Sequence, residues 1–210
     1  MPHNSCCSRK SGAAEFYSNS AVNQYAPNKV IEPIRHDISL QFQQLSTKCF
    51  MGKTTLTFKH NGKALVSNAR DLQEIRLNAV DFEDVKVSGE GLKQYHYSGH
   101  HILLVWDTCF NKEEERKVTI EYTVENPVAG VYFDKDDDMI NATAQWAVTY
   151  CETEKARYWL PTVDFPTVRT SLTYSITAPK EYISLANGSL ESTEVHGEMK
   201  TTKWKLDYPW

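Results

Sequence analysis

The chain has little of what most legible functions require. It contains no apolar run approaching the roughly 20 residues that cross a bilayer. Its opening, MPHNSCCSRKSGAAEF, lacks the apolar stretch of a secretory signal. These two absences lead to the expectation of a soluble, cytoplasmic protein with no membrane partner. A basic excess is missing too. The formal net charge is -4 and the isoelectric point lies near 6.0, so nucleic acid is not an expected partner. The 9 glycines are scattered, with no phosphate-cradling loop, dinucleotide fingerprint or nucleophile elbow among them. Five cysteines (Cys6, Cys7, Cys49, Cys109 and Cys151) form no CxxC pair. That argues against a thiolate zinc site and leaves free thiols as the expected state.

Two metal motifs are approached and missed. His96 and His100 have the i, i+4 spacing of a zinc helix, but Tyr97 follows His96 where a glutamate is needed, and Gly99 breaks a helix. The surroundings read as a turn entering a strand. Asp134–Asp138 opens like a calcium loop, yet Met139 and Gln145 stand at the positions that require glycine and glutamate. A solvated hairpin tip is the expectation there.

What the sequence does contain is alternation. Within 210 residues, enough for one domain with a real core, period-two patterns recur over Ile34–Phe42, Phe50–Phe58, Glu74–Asn78, Phe82–Val87, Lys117–Val124 and Ser171–Thr177. His101–Trp106 is a continuous apolar run of the kind found in a fully buried strand. Leu185–Leu190 and Lys203–Leu206 complete the expected set. Ala69–Leu77 and Lys112–Arg116 are the two places with room for a helical turn. Asn61-Gly62 is a turn signal. Residues 1–28, rich in Ser, Asn, Gly and Ala without periodicity, read as a flexible tail, and 29–210 as one domain. Short strands at regular spacing predict an all-β fold, an antiparallel sandwich or barrel.

The densest chemistry lies in TYCETEKARYWLPTVDFP, residues 149–166. On an extended backbone Tyr150, Glu152 and Glu154 share a face, with the two carboxylates roughly 6–7 Å apart along the strand. Two like charges so placed require a cation between them, either a structural arginine such as Arg157 or a ligand amine. Two-carboxylate glycosidase chemistry is a further use of such a pair, though nothing else lines a sugar site. Leu160-Pro161 and Phe165-Pro166 force extended conformations ahead of each proline and set Asp164 in a rigid bend. There an Arg157–Asp164 ion pair and a cluster of Tyr158, Trp159 and Phe165 are expected as structural features.

Taken together, VIEPIRHDISLQF, FMGKTTLTF, IRLNAVDFEDVKVSG, VTIEYTVENPVAGVYF, TYCETEKARYWLPTVDFP and APKEYISLANGSL occur in an order that resembles the amino-terminal β-domain of the aminopeptidase N-type zinc metallopeptidases. The last two segments carry most of the likeness. It covers about residues 30–210. The resemblance implies a saddle-shaped β-structure lying against a zinc-bearing catalytic domain. It also implies that Glu152 binds the free α-amine of a peptide substrate, with Tyr150, where glutamine is usual, near the pocket for the first side chain. Zinc is expected in the downstream domain and no cofactor in this chain. The chain ends at Trp210 without an H-E-x-x-H helix, so it is expected to be inactive alone, as the substrate-anchoring part of an enzyme that removes amino-terminal residues. The alternative reading is a non-catalytic interaction or scaffold module of the same descent.

Overall fold

The computed structural model describes residues 30–62, 69–134 and 145–209. The tail at 1–28, Cys6 and Cys7, and most of the acidic tip (135–138) lie outside the described residues. Strands dominate, as the alternating runs predict. They are β1 (Ile31–Gln41), β2 (Cys49–His60), β3 (Glu74–Asn78), β4 (Phe82–Gly89), β5 (Leu92–Tyr97), β6 (His101–Trp106), β7 (Glu115–Glu125), β8 (Gly130–Phe133), β9 (Ala147–Tyr150), β10 (Ser171–Pro179), β11 (Ser189–His196) and β12 (Met199–Leu206). Among the described residues, helix is confined to 3-10 turns at Leu45–Thr47, Ala69–Leu72 and Ala156–Tyr158. No helix among the described residues is long and apolar enough to cross a membrane.

Among the described residues three sheets form, and none of them closes into a barrel. The largest has the order β11-β12-β10-β1-β2-β7-β4, beside a three-stranded β3-β6-β5 sheet and a β8-β9 hairpin. Most neighbours are antiparallel. The exception is β1 with β10, which pair in parallel from Arg35↔Ser171 to Gln41↔Thr177. A parallel pair needs a long crossover. Here the crossover is the whole intervening chain, which builds the two smaller sheets before returning.

The core lies where the inner face of the large sheet meets the smaller ones. Leu56, Phe58, Val118 and Ile120 from β2 and β7 are buried with Leu77, Ile102 and Leu104 from β3 and β6. Phe58 meets Trp106 edge-on at 6.1 Å, and Trp106 meets Phe110 at 5.1 Å, which ties the two sheets together. Each such side chain contributes roughly 1.5–3 kcal/mol by leaving water.

Several expectations are corrected. His101–Trp106 is not buried on both faces: Ile102, Leu104 and Trp106 point inward while the residues between are partly exposed. Lys112–Arg116 holds no helical turn. Glu114 accepts from the Asn111 backbone at 2.7 Å, and Arg116 reaches the Thr108 and Cys109 carbonyls at 2.8 and 2.9 Å, a tight turn that feeds β7 directly. His96 lies within strand β5, and the turn begins only at Ser98. The strand expected at Leu185–Leu190 starts instead at Ser189. Gly188, at φ +99°, sits where a β-carbon would come within 2.1 Å of the Lys205 carbonyl oxygen, so the chain bends there before pairing with β12.

Candidate functional site

The chain enters the site along β9, whose last residue, Tyr150, pairs with Gly130 at the start of β8. Beyond Tyr150 the backbone leaves the sheet. Lys155 N–H donates to the Cys151 carbonyl at 2.9 Å, closing a turn that the 3-10 segment Ala156–Tyr158 continues. Gly130 makes this possible: it takes φ +81°, and a β-carbon there would lie 2.2 Å from the Lys155 carbonyl oxygen.

The extended backbone expected across Glu152 and Glu154 is therefore absent, and the turn separates the two carboxylates. Glu152 is exposed, and its Oε2 accepts a 2.6 Å hydrogen bond from the Tyr150 phenol. Glu154, at φ +59°, turns toward the protein, and its Oε2 meets the Arg157 guanidinium at 3.1 Å. Each carboxylate thus has its own partner. Of the two cations the sequence left open, the arginine belongs to Glu154.

Arg157 is 5% exposed and is the hub of the bend. Its Nε donates to Asp164 Oδ2 at 2.9 Å, and its backbone N–H reaches the same oxygen at 3.2 Å. The bend is fastened to the end of β3: Asp164 N–H donates to Asn78 Oδ1 at 3.1 Å, Asn78 and Thr162 exchange backbone hydrogen bonds, and Val80 N–H donates to the Arg157 carbonyl at 2.8 Å. Tyr158 and Trp159 are buried, and the Trp159 indole N–H points at Cys151 Sγ, 3.2 Å away. Burial pushes the Cys151 thiol up from its ordinary value, so it is a poor nucleophile.

At the surface, Tyr150 is 55% exposed. The carboxylate of Glu152 raises the phenol's pKa, which keeps it a proton donor. The Lys155 ammonium lies 5.7 Å from the centre of the Tyr150 ring, on its face. Sequence reasoning passed over Lys155 and Asn78, because their roles depend on a turn and a strand end that are distant or irregular in sequence. A groove of about 570 Å³ is lined by the segment from Gln145 to Thr149, which leads into and along β9, together with Leu40, Phe42 and Tyr182–Leu185. Trp146, Val148, Ile183 and Leu185 line it and are 49%, 51%, 84% and 76% exposed, an apolar concentration unusual for a free surface. Among the described residues, no group of three His, Cys, Asp or Glu is placed to hold a metal.

Residues 32–209 match the family model of the peptidase M1 N-terminal domain. The chain belongs to that family. The fold agrees with solved structures of larger proteins. The M1 zinc metallopeptidase from Deinococcus radiodurans superimposes with a TM-score of 0.68 at 15% identity, over 87% of this chain and 40% of that one. A variant of it bound to a Tyr-Ser-Ala substrate gives 0.66 at 15%, over 85% and 40%. Legionella pneumophila aminopeptidase A, in complex with aspartic acid, gives 0.67 at 15%, over 86% and 20%. The chain thus spans 40% or less of the length of these structures. A comparison with curated proteins gave no match. In this M1 N-terminal domain, the 149–166 segment ends the β8-β9 hairpin and locks it onto β3.

Proposed function

We propose that this M1 N-terminal domain, residues 29–210, anchors the substrate of a zinc aminopeptidase, with residues 1–28 as a tail outside it. Glu152 accepts hydrogen bonds from the α-ammonium of a peptide's first residue, and Tyr150 borders the pocket for that residue's side chain. The partners are a catalytic zinc domain and a peptide amino terminus. In this reading the zinc belongs to the catalytic domain.

One observation carries the reading: an exposed carboxylate, with no ion-pair partner among the described residues, stands just past the end of a strand whose neighbouring surface is apolar. Glu154 is neutralised by Arg157 and Glu152 is not. A peptide ammonium supplies the missing charge through short N–H···O bonds that are about twice as strong as neutral ones. The apolar groove lined by Trp146 and Val148 is the surface on which a catalytic domain packs. Arg157 and Asp164 act structurally, holding the turn in place.

The test is Glu152→Gln in the protein that carries both this domain and a catalytic domain. Loss of a hydrogen-bonded charge pair corresponds to about 1.5–3 kcal/mol. KM for a free-amine peptide such as Ala-Ala-Ala should therefore rise by roughly 10- to 100-fold. Equal cleavage of that peptide by variant and wild type would refute the anchor.

A further inference from the structure

Glu152 presents a problem that the anchor role does not solve. It sits in an exposed turn, and a glutamate free to rotate there carries up to about 1.5–2 kcal/mol of rotamer entropy that binding would have to overcome. Among the described residues its carboxylate receives one hydrogen bond, from Tyr150. We infer that Tyr150 is the positioning residue for Glu152: its phenol O–H, carried at the end of β9, holds one carboxylate oxygen and leaves the other to meet an incoming ammonium. This rests on the anchor role proposed above.

Three features suit Tyr150 to the task. Its backbone is fixed by pairing with Gly130, and its side chain has two torsions against three for glutamate. Its ring is contacted at two places, by Glu152 at the hydroxyl and by the Lys155 ammonium over its face, 5.7 Å from the ring centre. The third feature is chemical. A lysine or arginine in the same place would orient the carboxylate but also neutralise it and compete with the substrate's ammonium. A phenol orients it and leaves its charge intact. The nearby cation, Lys155, lies on the ring face and makes no ion pair with Glu152.

The inference is tested in two ways. In the protein carrying both domains, Tyr150→Phe should raise KM for Ala-Ala-Ala about tenfold, the equivalent of one hydrogen bond to a charged group, and change kcat by less than about twofold. Tyr150→Gln, which restores a donor, should recover most of the loss. If Glu152→Gln raises KM and Tyr150→Phe does not, the positioning role is wrong and the anchor stands. If neither moves KM, the anchor fails and the positioning role with it. Independently of any substrate, 13C-tyrosine titration of this chain should show Tyr150 ionising at higher pH than in Glu152→Gln. Coincident titration curves in the two proteins would overturn the pairing itself.

Discussion

Acid should destabilise this domain through His36. The side chain lies on the inner face of β1, in register with Leu56 on β2 and Leu172 on β10, and is 2% exposed. Among the described residues its Nε2 has no hydrogen-bond partner. Burial disfavours the imidazolium and depresses the pKa from 6.5 to about 3, with neighbouring Asp37 opposing the shift weakly. Between those two values the unfolded chain binds a proton that the folded chain does not. Stability from this group is therefore complete above pH 6.5 and declines as the pH falls toward 3, by about 1.36 kcal/mol per pH unit. At pH 4.5, two units into the window, the loss is about 3 kcal/mol. With a urea dependence of about 2 kcal/mol per molar, that is a midpoint shift of roughly 1.5 M. The assay is urea unfolding at pH 7.5 and 4.5 for wild type and His36→Leu. The remaining titrating groups are common to both proteins and cancel in the difference, so wild type should lose about 3 kcal/mol more than the variant over this interval. An equal loss in both would refute the reasoning, because it would mean that His36 takes up its proton in the folded state as readily as in the unfolded one.

The bend offers two further tests beside those of Glu152 and Tyr150. Asp164→Ala removes the carboxylate that lies 2.9 Å from Arg157 Nε, and the Arg157 side chain is 7% exposed. Breaking a buried pair on one side costs about 3 kcal/mol, which urea unfolding would detect, and a loss under about 1 kcal/mol would show the pair to be solvated. Gly130→Ala forces a β-carbon to within 2.2 Å of the Lys155 carbonyl at φ +81°. A cost of at least about 2 kcal/mol is expected, together with loss of the elevated Tyr150 titration as the turn shifts. Unchanged stability and titration would mean that the turn does not depend on Gly130.

Much of the fold was legible in the residues. The alternations in Ile38-Ser39-Leu40 and Val118-Thr119-Ile120 put alternate side chains in the core because successive strand residues face opposite ways. Where the inference slipped, the cause was tertiary. β5, LKQYHY, has little apolar alternation and is largely exposed; it is a strand because β6 supplies its hydrogen bonds. β11 was placed too early because LANGSL looks like a strand with a turn in it, whereas the backbone of β12 packs against Gly188 and fixes the start at Ser189.

At the site, the sequence by itself determined the inventory: two glutamates two residues apart, a tyrosine before them, an arginine and an aspartate after, and two prolines that preclude continuous strand. It also determined the family, because order and spacing are properties of the chain. Which carboxylate is neutralised and which is left outside was decided only by the tertiary structure. Period-two reasoning placed both on one face. The turn closed by Lys155, lodged against Gly130 and fastened through Arg157 and Asp164 to Asn78, rotated Glu154 inward and left Glu152 with Tyr150. Those contacts join residues as many as 86 positions apart, and local sequence carries no signal of which distant backbone will be there to meet them.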